Sequence, residues 1–171
     1  MTTGTSRRSL LAAALAVPAA AAGTTLLGAT PAAAVGTDGS AGAIEIIRPW
    51  TGFARLGHTH LTALGGNAPQ ARVVRIAGTD FLQMRGGVSC EAGHEFDGGS
   101  TPDTLDLVGV LPQDLWPATT YVRGVAPRNN RNGFSSCRIE VTREGEVYVY
   151  GATSTNTISW IQLDSFSAIW R

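Results

Sequence analysis

The chain has 171 residues, with thirteen basic side chains, all of them arginine, against thirteen acidic ones. Setting aside Arg7 and Arg8 leaves eleven arginines facing thirteen acids, a net charge of about two negative. That argues against a nucleic-acid or anionic-membrane binder, whose affinity comes from excess positive charge.

In chain order, the first element is a targeting segment. Ser6-Arg7-Arg8-Ser9-Leu10-Leu11 sets two arginines before an Ala-rich, weakly apolar run from Leu10 to Leu27, and Ala32-Ala33-Ala34 supplies the small residues a signal peptidase needs. The pattern is similar to a twin-arginine (Tat) signal peptide over residues 1–34, so the expected destination is outside the cell. Pro18, Gly23 and the cleavage pattern argue against a retained membrane anchor, and the first cysteine, Cys90, lies too far along for a lipid anchor. The Gly-, Ser- and Asp-containing stretch 35–43 reads as a flexible lead-in. The rest, 44–171, is long enough for one domain with a sizeable core and short for two.

From Ile44 onward the chain is a succession of short alternating runs: Ile44 to Arg48, Arg72 to Ala77, Asp80 to Cys90, Thr104 to Val110 and Thr120 to Val125. Cys137 to Thr142 and Glu146 to Tyr150 flank Arg143-Glu144-Gly145, as two strands joined by a Gly-containing turn do. Thr157 to Leu163 and Ser165 to Trp170 complete about nine strands, and no stretch keeps a helical period over three turns. So many short strands, each with one face to bury, predict an all-β antiparallel sandwich or jelly roll.

Strand phase places both cysteines. Leu82, Met84, Val88 and Cys90 share one parity, and Cys137, Ile139 and Val141 share another, so both thiols face inward. In an exported chain this predicts a Cys90–Cys137 disulfide, worth roughly 3–4 kcal/mol by closing a loop of about 46 residues. The alternative is two unpaired thiols acting as small hydrophobes, which suits a Tat substrate folding in a reducing cytoplasm.

Few residues carry chemistry. His58 and His60 fall on one face of an extended segment, and Glu91, His94, Glu95 and Asp97 sit together elsewhere, but nothing in the sequence brings the two groups to one point as a metal would require. The expectation is therefore no metal and no cofactor. No Gly-x-Ser-x-Gly turn is present, and a hydrolase would have to use His94 with neighbouring acids. The loop Pro127 to Gly133 offers Arg128, Asn129, Asn130, Arg131 and Asn132, a donor-rich set suited to hydroxyl or carboxylate ligands. Tyr148 and Tyr150 lie opposite Val147 and Val149 and read as exposed platforms for a sugar or a partner. A solvated turn closing on Asn132-Gly133 and a subunit interface are the plainer readings of loop and tyrosines.

The strand from Arg75 through Phe81-Leu82-Gln83-Met84-Arg85 to Val88, the pairs Leu111-Pro112 and Trp116-Pro117, the hairpin glycine Gly145, Ile161 to Phe166 and the final Trp170 together resemble the C-terminal head domains of phage tail-fibre and receptor-binding proteins. That resemblance, over 53–171, implies a jelly-roll-like fold, a homotrimer and recognition of cell-surface saccharide without catalysis. Such heads usually end long shafts and carry no export signal. The expected protein is therefore a secreted binding module that reuses the fold, with a secreted hydrolase or a self-associating envelope protein as alternatives.

Overall fold

The computed structural model describes residues 44–96 and 105–170. The expected signal peptide and lead-in lie outside them. The chain forms twelve strands: β1 Glu45–Gly52, β2 Arg55–Leu56, β3 Leu61–Ala63, β4 Gln70–Ile76, β5 Thr79–Arg85, β6 Gly87–Cys90, β7 Leu105–Val110, β8 Val122–Arg131, β9 Phe134–Val141, β10 Glu146–Tyr150, β11 Trp160–Gln162 and β12 Ser167–Ile169. A 3-10 turn, Gln113–Leu115, is the one helical element among the described residues, and no helix there is long and apolar enough to cross a membrane.

All strand pairings are antiparallel. They make a four-stranded sheet, β1-β4-β5-β12, and an eight-stranded sheet, β2-β7-β10-β9-β8-β11-β6-β3. The end strands of the larger sheet, β2 and β3, are consecutive in the chain and joined by 57–60 alone. So short a link draws the two edges together, and the sandwich comes close to a closed barrel. This removes most of the unpaired edge a sheet of this width would otherwise expose.

The core follows the period-2 pattern. Ala71 and Val73 of β4 pair with Met84 and Leu82 of β5, and all four are fully buried. They belong to one apolar cluster with Ile139 and Val141 of β9, Val147 and Val149 of β10, Ile161, Leu163 and Phe166. Each such side chain larger than alanine contributes about 1.5–3 kcal/mol by leaving water. Trp170 closes the structure, its indole N–H donating to the Leu115 carbonyl at 3.2 Å.

The run from Asp80 to Cys90 is two strands, not one. At Gly86 the backbone takes φ 75°, and a Cβ there would stand 2.4 Å from the Ala68 carbonyl oxygen, so glycine alone fits the bend that sends β5 into one sheet and β6 into the other. The predicted donor-rich loop is also regular structure: β8 runs on to Arg131, and Asn132-Gly133, with φ 53° and 78°, forms the tight turn into β9.

The disulfide does not form. Cys90 and Cys137 are both free, on β6 and β9, with β11 and β8 between them in the same sheet. Three strand spacings of about 4.8 Å put them roughly 14 Å apart, twice the span a disulfide bridges. The inward parity was correct, but parity says nothing about lateral position in a sheet. Cys137 instead donates to the Ala126 carbonyl at 3.5 Å.

Candidate functional site

The residues singled out in the β8–β9 hairpin serve two purposes. Arg128 is only 3% exposed. Its Nε donates to the Asn129 carbonyl at 3.1 Å, and its Nη2 to Asn156 Oδ1 at 3.1 Å and the Thr157 carbonyl at 2.8 Å. Asn129 Oδ1 accepts the Ser159 N–H at 2.9 Å, and Asn132 Nδ2 donates to the Thr155 carbonyl at 2.7 Å. Arg131 pairs with Glu95 at 2.8 Å and donates to the Thr157 hydroxyl. The hairpin thus clamps the segment 153–159, which has little regular structure to satisfy its own backbone groups. Asn130 is exposed and its side chain has no hydrogen bond among the described residues.

Between this hairpin and the segment 151–156 lies an open cleft of ≈570 Å³, into which Arg128, Asn132, Phe134, Arg138, Tyr150 and Asn156 project, among others. Its aromatic content comes from Tyr150 and from Phe134, which is 57% exposed. Arg138, the cross-strand partner of Tyr150, holds its guanidinium 3.8 Å from the centre of the tyrosine ring. The Tyr150 hydroxyl donates to Glu140 Oε1 at 3.3 Å, which fixes the ring's tilt. Burial, with the adjacent Glu140 carboxylate, raises the Tyr150 pKa and keeps the phenol protonated. Tyr148 shares this sheet face but does not enter the cleft; its hydroxyl donates to Glu146 Oε2 at 3.0 Å.

Of the seven candidate ligand contacts, then, Arg128, Asn132 and Tyr150 meet in one concavity. Asn129 and Arg131 turn to the far side of the hairpin, and Tyr148 and Asn130 stand apart. Phe134, Arg138 and Asn156 join the cleft without having been singled out. Arg138 was visible as an outward residue of its strand, but its stacking on Tyr150 depends on the β9–β10 register, which the turn sets and the sequence does not state.

A second constellation sits where the larger sheet nearly closes. The link 57–60 places His58 and His60 beside His94 of the turn after β6: ring centroids are 5.3 Å apart for His58 and His60, and 4.3 Å for His60 and His94, with planes 4° and 14° from parallel. His58 Nε2 lies 2.6 Å from Asp106 Oδ1 of β7. Near-closure of the sheet therefore assembles histidines that sequence spacing left apart. Stacked rings aim their nitrogens sideways, and no three His, Cys, Asp or Glu side chains among the described residues are arranged to hold a metal ion. Asp97 lies outside those residues.

Next to the column is a polar cleft of ≈730 Å³ bordered by Cys90, Glu91, His94, Glu95 and Ser159. Burial, then the neighbouring Asp106 carboxylate, pushes the Cys90 thiol up to about 11, so it stays protonated and is no nucleophile at neutral pH.

No family model matches the sequence, and no curated protein matches it. Among solved structures, the chain is similar to the receptor binding protein (gp15) of Listeria phage PSA, at 14% identity and a TM-score of 0.47, over 76% of this chain and 67% of that one.

Proposed function

We propose that this domain is a secreted, non-catalytic binding module that recognises saccharide on a cell surface or in the extracellular medium, through the cleft between the β8–β9 hairpin and 151–156. The observation that carries the reading is the combination gathered there: two aromatic rings, Tyr150 and Phe134, beside the amides Asn132 and Asn156, the hydroxyls Ser136 and Thr153, and the guanidiniums of Arg128 and Arg138. Apolar ring faces match the C–H faces of a pyranose, while amides and hydroxyls match its hydroxyl groups. Export through the twin-arginine pathway belongs to the same proposal, since it places the cleft where such ligands are.

The test is a glycan array followed by titration calorimetry on the folded mature chain. Saturable binding that Tyr150→Ala reduces at least tenfold is the expected result. A folded sample that binds no glycan removes the proposal.

A homotrimer is part of the proposal as well. On the smaller sheet, Ile46, Val74, Phe81 and Ile169 form one cross-strand row in which Val74 is fully buried and the two ends, Ile46 and Ile169, are exposed. Such a row suits a contact between copies, and a monomer by light scattering would remove it. The histidine column favours a second reading, a hydrolase using His94 with neighbouring acids. Because Cys90 is protonated, water would be its nucleophile, and hydrolysis unchanged by His94→Ala would end that reading.

A further inference from the structure

Two features of the proposed cleft go beyond its shape. First, it is cationic: Arg128 and Arg138 both border it, and no Asp or Glu among the described residues does. Neither arginine forms an ion pair with a described residue. The nearest acid along the strand from Arg138 is Glu140, and Glu140 is engaged by Arg123 at 2.6 Å and by the Tyr150 hydroxyl.

Second, Arg128 is a buried cation whose partners are all neutral oxygens, two backbone carbonyls and one amide. Burial lowers its pKa, with Cys137 opposing and Arg131 adding to the shift, and no carboxylate takes part. Cys137 supplies no compensating charge, since burial pushes its thiol up to about 12. A buried charge without a counter-charge is costly. The three bonds above use Nε and Nη2 and leave Nη1 without a partner among the described residues. As no fully buried side-chain nitrogen or oxygen there lacks a partner, Nη1 keeps some solvent access, and Arg128 borders the cleft together with Arg138.

We propose that the ligand of this cleft is an anionic saccharide, whose carboxylate or phosphate is taken by Arg128 Nη1 and the Arg138 guanidinium while a sugar ring lies against Tyr150 and Phe134. This rests on the saccharide reading and narrows it. A guanidinium fork matches either anion, and a charge-assisted hydrogen bond is about twice as strong as a neutral one. The anion would also supply the counter-charge that Arg128 lacks.

The test uses the mature chain and three probes: a uronate-containing oligosaccharide, the same oligosaccharide with its carboxyl groups reduced to alcohols, and a phosphodiester-linked polyol polymer. The uronate is expected to bind at least tenfold tighter than its reduced form. Arg138→Gln should remove most of that difference and Arg138→Lys retain part of it. Arg138 is exposed, so neither change endangers folding as Arg128→Gln would. Raising salt to about 1 M, where screening acts within roughly 3 Å, should weaken the acidic ligand and leave the neutral one unaffected. Preference for the phosphodiester polymer supports the inference and names phosphate as the source of charge. Equal binding of acidic and reduced forms overturns the anion and leaves the saccharide reading standing. A folded chain that binds none of the three, nor any neutral glycan, removes both.

Discussion

The turn between β9 and β10 makes a prediction that separates two physical terms. Gly145 has φ 73°, and a Cβ there would lie 2.1 Å from both Cδ1 and Nε1 of Trp116. Trp116 covers the turn and donates its indole N–H to the Leu111 carbonyl at 2.9 Å, while the Gly145 carbonyl accepts the Leu111 N–H at 2.8 Å. Gly145→Ala therefore incurs about 1–2 kcal/mol for a left-handed L-residue. It must also displace the indole, losing about 1 kcal/mol of hydrogen bond and some of its burial. The expected total is about 3–4 kcal/mol, or a fall in Tm of roughly 12–15 °C for a domain of this size.

Gly133→Ala is the control. At φ 78° it carries the same backbone term, but nothing stands within 4 Å of its Cβ, so about 1–2 kcal/mol is expected. Urea unfolding followed by tryptophan fluorescence gives both values, with Gly145→Ala also shifting the native emission as Trp116 moves into water. Costs equal to within about 0.5 kcal/mol would refute the view that Trp116 is what excludes a side chain from this turn.

Two further outcomes follow from side-chain environments. Both thiols should resist alkylation in the native chain and react on unfolding, and a reductant should leave the Tm unchanged; a mass showing an oxidised Cys90–Cys137 pair would contradict the strand order. Asp164, whose pKa is lowered by the Gln162 amide and then the Gly86 N–H, has a folded value below its unfolded one, so its contribution is present above about pH 4 and lost as pH falls through the folded value. Asp164→Asn should flatten the acid limb of a Tm-against-pH curve, and an unchanged limb would count against that carboxylate.

The fold class was legible because period-2 burial is a local signal: Leu82 and Met84, Ile139 and Val141, and Val147 and Val149 all lie on the buried faces that parity assigned them. What exceeded it was lateral order. The Asp80–Cys90 run carried two in-phase halves, so nothing in its alternation revealed that Gly86 sends them to different sheets. The same blindness produced the expected disulfide, since two inward residues can lie on neighbouring strands or three apart. In the hairpin, Pro127 to Gly133 was polar enough to pass for a loop, yet β8 extends through it because Arg128 and Asn129 find carbonyl and amide partners in 156–159.

The two constellations differ in how the fold creates them, and this bears on the proposed choice of the cleft over the histidine column. The histidine column exists because β2 and β3 are joined by a short link at the closing edge of the barrel, so His58 and His60 are carried to His94 by chain closure. The rings stack on one another, and of the three only His58 has a side-chain hydrogen bond among the described residues, to Asp106. The cleft at Tyr150 is built the opposite way. Its hairpin is pinned through Asn129, Arg131, Asn132 and Arg128, while the cleft presents the Arg138 guanidinium, which lies over the Tyr150 ring and has no ion pair among the described residues, and the exposed Phe134 ring. For the proposed function this matters because part of the entropy cost of ordering Arg128 has already been met in folding.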